Sequence, residues 1–166
     1  MASNQRILVA VDGSQASHRS VAYVADIVGG CPGAHVGLLH LELPPRMLEW
    51  GGSENDRVED EVSEQRERDY RNTEKDAIED GQALLNRLRA LLAEKAVDVI
   101  VQVVRFQEPL DARHIARETL KMARERSYGT IVVGRRSFAG LRRLFSHHVG
   151  EELVRTGEGV TVWVVE

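Results

Sequence analysis

Cysteine is nearly absent from this 166-residue chain, occurring once, at Cys31. No disulfide can therefore form within the chain, and a zinc centre would have to be built from histidines and carboxylates. A lone thiol suits a reducing compartment, and the cytoplasm is the expected location. Long apolar runs are missing too; none approaches the ~20 residues that cross a bilayer, so no membrane partner is expected. The opening residues, Met1 to Arg6, lead straight into a strand pattern and lack the charged-then-apolar layout of a signal peptide. Lys and Arg do not gather into the wide basic face that phosphate backbones require, which argues against a nucleic-acid partner. Proline occurs four times, at Pro32, Pro44, Pro45 and Pro109, each time between regular patterns. Neither an internal repeat nor a second domain is visible, so residues 1–166 read as one domain.

What is present is ordinary for a globular protein: 42% hydrophobic and 29% charged residues, in a chain long enough to bury a core. The net charge of −4 is unevenly spread. Between Glu54 and Asp80 twelve acids face five bases, so this stretch carries −7 and the remainder +3. It reads as a solvated loop and helix start.

Ile7 to Val11 is a short continuous apolar run, as expected of a strand buried on both faces. Ser14 or Ser17 can cap a helix reaching about Val28, with Ala16, Val21, Val24, Ala25 and Val28 as its apolar stripe. Gly29 to Gly33 ends it, and His35 to Leu41 is a second strand. After Pro44-Pro45 about thirty residues follow with little apolar periodicity, an unusually long connection that reads as a lid, a partner-binding insertion or a partly disordered stretch. A long amphipathic helix is predicted from Glu74, and Val97 to Val104 is a third strand. A helix then runs to about Arg126, followed by a fourth strand from Thr130 to Val133. Leu141 to Val154 is predicted to be mostly helical, with Leu141, Phe145, Val149 and Leu153 on one face, and Val160 to Val165 is a fifth strand. Strands alternating with helices imply a parallel sheet with right-handed crossovers and helices on both faces. Ligands of such sheets sit beyond the carboxyl ends of the strands where the strand order reverses.

Two strand ends are the candidates. Asp12 follows the first strand directly, and Gly13-Ser14 permits close approach to it. Its carboxylate can accept hydrogen bonds from an adenine or ribose, or it can serve the N-terminus of the following helix. Gly134 ends the fourth strand in Ile131-Val-Val-Gly-Arg-Arg-Ser-Phe-Ala-Gly140, where a basic loop follows a buried strand, as at an anion site.

The opening Ile7-Leu-Val-Ala-Val-Asp-Gly-Ser14, the strand–helix order, Ile131-Val-Val-Gly134 leading to Gly140-Leu-Arg-Arg-Leu144, and the closing Val160-Thr-Val-Trp-Val-Val165 together resemble a universal stress protein domain. The resemblance covers nearly the whole chain, apart from the acidic 43–73 segment, where that family is variable. It implies a five-stranded parallel sheet in the order 3-2-1-4-5, and dimerisation, often through the last strand, here Val160 to Val165. One branch of the family binds ATP and another does not. The ATP-binding branch carries Gly-x2-Gly-x9-Gly-Ser/Thr after the fourth strand, where glycines admit phosphates to backbone N–H groups and the hydroxyl caps the helix. Mapped onto this chain, Gly134 matches the first glycine, the second falls on Ser137, the third on His147 and the hydroxyl position on His148. Ser137 still offers an N–H and a hydroxyl. His147 crowds the phosphate path and His148 replaces the cap. Against that, Arg135, Arg136, Arg142 and Arg143 surround the loop, and with His147 and His148 they can hold an anion by side chains; a solvated basic loop is the other reading.

Further residues draw plainer readings. Cys31 sits in a Gly-Pro turn as an inert thiol. His35 and His40 are packing or edge residues. His18, Asp12 and Ser14 lie on one short turn without an oxyanion arrangement, so they are not a triad. The adjacent His147 and His148 lack a third ligand for a metal. Trp163 is either core or interface, and the interface is preferred. The functional expectation is a dimeric stress-response regulator, not an enzyme, of the non-ATP or altered-site branch, recruiting protein partners. The alternative is a sensor binding ATP at the Asp12/Gly134 crevice.

Overall fold

The computed structural model describes residues 6–12, 14–42, 60–105, 111–135 and 149–166. Its elements are β1 (Arg6–Val11), α1 (Gln15–Val28), β2 (His35–Glu42), α2 (Asp60–Glu94), β3 (Asp98–Arg105), α3 (Ala112–Glu125), β4 (Thr130–Gly134), α4 (Val149–Thr156) and β5 (Thr161–Val165). The strands form one sheet in the order β3-β2-β1-β4-β5, as the resemblance implies. Every neighbouring pair is parallel.

Burial explains why the strands read as unbroken apolar runs. Side chains of β1 alternate between two cores: Leu8 and Ala10 pack with α3 and α4, whereas Ile7, Val9 and Val11 pack with α1 and α2. In β4, Ile131 and Val133 join the first core and Val132 the second. A strand covered on both faces needs apolar residues at every position.

All five residues of the expected α1 stripe are buried. Ser14 is its N-cap, its hydroxyl accepting from the Ser17 amide at 3.1 Å. Gly30, at φ 77°, turns the chain away after the helix. The helices predicted after Pro109 and before β5 are also present, although Leu141 and Phe145 lie outside the described residues.

The start of α2 departs from the sequence reading. The helix begins at Asp60, not Glu74, so half of the acidic segment is helical backbone. Apolar periodicity reports burial, and the described buried positions of α2 begin only at Gly81, followed by Leu84, Leu85, Leu88 and Leu92. Upstream the sequence is rich in Glu, Gln and Arg, which favour helix without any apolar stripe. Residues 43–59 lie outside the described residues.

Candidate functional site

The connections from β1 and β4 leave the sheet on opposite faces. After β1 the chain enters α1, on the face shared with α2; after β4 it reaches α4, on the face shared with α3. A crevice beyond the carboxyl ends of these neighbouring strands is the topological switch point. Ala10 pairs with Val133. One step further in that register sets Val11 beside Gly134, so Asp12 and Gly134 rim the same crevice.

Asp12 is half-buried and tied to the first turn of α1. Its Oδ1 accepts from the Ser14 amide at 3.0 Å and from the Ser17 hydroxyl at 2.5 Å, while its own amide donates to Ser17 Oγ at 3.0 Å. The carboxylate is thereby fixed in direction by two bonds, and the backbone of the same residue by a third. The helix-terminal role weighed from the sequence is therefore present in the structure. It leaves the acid pre-oriented at the rim.

Gly134 is buried at the end of β4 and aligned with Val165 of β5. The next amide, that of Arg135, donates to the Val165 carbonyl at 2.7 Å. The Arg135 guanidinium pairs with the Glu166 carboxylate, and Arg19 Nε donates to the Glu166 carbonyl at 3.2 Å. Arg135 is thus drawn toward the β5 side, with both its amide and its charge engaged. Arg136, Ser137, His147 and His148 lie outside the described residues, as do Arg142 and Arg143.

One residue at this edge, which the sequence presents as a packing or edge residue, makes a directed bond. His40, near the carboxyl end of β2, is buried, and its Nδ1 donates to the Val11 carbonyl at 3.3 Å. That bond requires a proton on Nδ1, since a carbonyl can only accept. The ring lies against Gly81 of α2, where a Cβ would stand 2.7 Å from His40 Nε2. The available signal was Gly81 itself, a glycine inside an otherwise strong helical pattern.

The other histidines and the cysteine make local contacts. His18 is exposed, and the bonds that hold Asp12 come from Ser14 and Ser17. His35 Nδ1 pairs with Asp98 Oδ2 at 2.9 Å, at the amino-terminal edge of the sheet, far from the crevice. There the His35 ring stacks with Tyr128, whose ring also faces the Arg6 guanidinium at 5.2 Å. Cys31 is exposed beside a cavity of about 600 Å³ at that edge, its Sγ 3.8 Å from the Ile27 carbonyl. Trp163 is half-buried against the α1 layer, edge-on to Tyr23 at 6.3 Å. Among the described residues no group of three or more metal-ligating side chains comes together. No described helix is long and apolar enough to cross a membrane.

The same architecture is found in solved proteins of low sequence identity. A universal stress protein family member from Burkholderia pseudomallei superposes with a TM-score of 0.62 at 16% identity, covering 99% of this chain and 98% of that one. The universal stress protein of Archaeoglobus fulgidus in complex with dAMP gives 0.58 at 18% identity, with 97% of each chain covered. A universal stress protein in complex with cAMP gives 0.58 at 17% identity, covering 98% of this chain and 97% of that one. No curated protein sequence matches the chain. The model of the universal stress protein family matches residues 3–166, so with Asp12 and Gly134 at the switch point of a 3-2-1-4-5 sheet, this chain belongs to the universal stress protein family.

Proposed function

We propose that this member of the family is a dimeric, cytoplasmic stress-response regulator that does not hold ATP in a glycine-lined phosphate cradle and that works without turning over a substrate. One observation carries the reading. The Arg135 amide, the first that follows Gly134, is already bonded to Val165, and the Arg135 side chain is paired with Glu166. A phosphate arriving there would have to compete with both bonds. The sequence adds His147 and His148 where the signature has Gly and Ser/Thr. Dimerisation through the free edge of β5 is supported by apolar exposure around it: Val164 on the strand, Tyr23 on α1 and Val154 on α4.

A second reading is favoured by the dAMP and cAMP complexes of relatives with the same fold. In it an adenine nucleotide binds at the Asp12/Gly134 crevice, held by the oriented Asp12 carboxylate and by Arg135, Arg136, Ser137, His147 and His148 in place of the missing glycines.

Calorimetric titration of the ligand-stripped protein with ATP and magnesium, then ADP, AMP and cAMP, separates the two. The first reading expects no saturable heat at millimolar ATP and a gain of ATP binding in the His147→Gly/His148→Ser double variant. Saturable binding by the unmodified chain, weakened by Asp12→Ala and by Arg135→Ala/Arg136→Ala without unfolding, would establish the second.

A further inference from the structure

The face of the sheet opposite α1 and α2 carries a groove of about 500 Å³ between α3 and α4. Five bases line it, Arg113, Arg117, Lys121, Arg124 and Arg155, against two acids, Glu125 and Glu152. Arg113, Arg117, Lys121 and Arg124 recur at helical spacing, so α3 presents its bases as one stripe along the groove. The buried Glu152 is shared by Arg155 at 2.5 Å and Arg113 at 3.7 Å, and it anchors these two side chains in the groove wall. Arg117 has no acid partner among the described residues, and Lys121 only the long pair with Glu118 at 3.8 Å. The groove keeps a surplus of positive charge in a molecule whose net charge is −4.

The missing counter-charge is elsewhere in the same chain. Residues 54–64 hold six acids and one base, ending in Asp60, Glu61 and Glu64 in the first turns of α2. This helix runs antiparallel to the strands, and Gly81 lies at the carboxyl end of β2, against His40. At 1.5 Å per residue, Asp60 therefore stands ~30 Å beyond that sheet edge. Between Asp60 and Thr73 the sequence offers only Val62 and Tyr70 as large apolar residues, so charge is what this stretch has to bind with. The described part of this helix packs on the face shared with α1, opposite the groove.

We propose that the α3/α4 groove receives the acidic stretch 54–64 of a second copy of this chain. The contact is heterologous, joining different surfaces of the two copies, and so propagates beyond a pair instead of closing on itself. It is independent of β5-edge pairing and of any nucleotide. Because it is made by largely exposed charges, it weakens as salt shortens the screening length.

Sedimentation equilibrium of the full chain tests this at ~20 mM and ~0.5 M salt, on either side of the 8–10 Å screening range. The mass at high salt sets the baseline. At low salt the average mass is expected to rise at least twofold and to grow with protein concentration. Arg117→Glu/Lys121→Glu and, separately, Asp60→Lys/Glu61→Lys/Glu64→Lys should each abolish the rise. Mixed in equal amounts, the two variants should recover it, since each then offers the charge the other lost. Circular dichroism confirms that both are folded; the acid-to-lysine changes lie upstream of the described buried residues of α2. A rise that survives in either variant alone, or a folded wild-type chain whose mass stays at baseline, overturns the proposal. A constant mass, with a sedimentation-velocity coefficient that still changes with salt, would place the segment against its own body, which also overturns it.

Discussion

Gly81 is the residue whose chemistry is least expected from its element. A glycine inside a helix costs about 1 kcal/mol relative to alanine, so it persists where a side chain does not fit. Here the added Cβ would meet the His40 ring, which its bond to the Val11 carbonyl holds in place. Gly81→Ala should therefore lower stability by roughly 1–3 kcal/mol despite its better helix propensity, as overpacking does. Urea titration reads this directly, and a variant more stable than the parent would mean the ring yields without cost. Asp111 supports a second prediction. It caps α3, accepting from the His114 amide and from His114 Nδ1, each at 2.8 Å. The amide bond is the chief reason its carboxyl lies below the ordinary 3.8. A depressed folded value means the cap stabilises above the unfolded value and is lost as pH falls through the folded one. Asp111→Ala should cost about 1 kcal/mol near neutrality, and the difference from wild type should shrink below pH 3.8 and then vanish. At this scale the sequence was informative about Asp12 and Gly134, because a polar residue or glycine closing an apolar run marks a strand end. His40 was illegible for the converse reason: within an apolar strand nothing distinguishes a hydrogen-bonded histidine from a packing one until the glycine opposite it is known.

Among the elements, α2 shows most clearly what periodicity can and cannot report. The strands were legible because burial on both faces leaves only apolar residues, and α1 because one face is buried along its whole length. The second half of α2 shows its stripe at Leu84, Leu85, Leu88 and Leu92, where it lies on the sheet. Its first half reaches past the sheet edge, so no face is selected for apolarity, and the stripe that marks a helix from Glu74 misses the fourteen residues that begin at Asp60. Packing and helicity thus part company within one element, and its stability should divide in the same way. Hydrogen exchange at high salt, where the proposed docking is suppressed, should show strong protection for amides of residues 84–94. Residues 60–74 should exchange orders of magnitude faster, because an isolated helical stretch of that length is marginal in water. Equal protection along the whole helix would mean that the first half packs on something its sequence does not suggest.

Across the whole molecule, the sheet divides the charge and the apolar surface in different ways. The helix that begins at the acidic Asp60 packs on the α1 side, the basic groove lies on the α3/α4 side, and Ile100, Val103 and Val164 leave apolar surface on the two edge strands. Among the described residues both β3 and β5 are edge strands with backbone groups left unpaired on one side, so either could recruit a second sheet. The two are not equivalent. Ile100 and Val103 on β3 are exposed but stand an odd number of residues apart, so they point to opposite faces. Around β5, Val164 is joined by Tyr23 from α1 on one face and by Val154 from α4 on the other. Gly150 of α4 lies beside Val164, where an added Cβ would make an ordinary contact at 3.6 Å. A partner aligned on β5 would cover all three side chains together, burying apolar area worth about 25 cal/mol per Å². The proposed dimer should therefore be broken at β5 and not at β3. Light scattering at ~0.5 M salt, which screens the head-to-tail contact, should give twice 18.6 kDa for the parent chain and for Ile100→Lys. Val164→Lys, which places a desolvated ammonium at the centre of the interface, should give the single-chain mass with an unchanged helical spectrum. If Ile100→Lys dissociates the dimer while Val164→Lys leaves it intact, the pairing edge is β3, and the apolar rim around β5 must serve another partner.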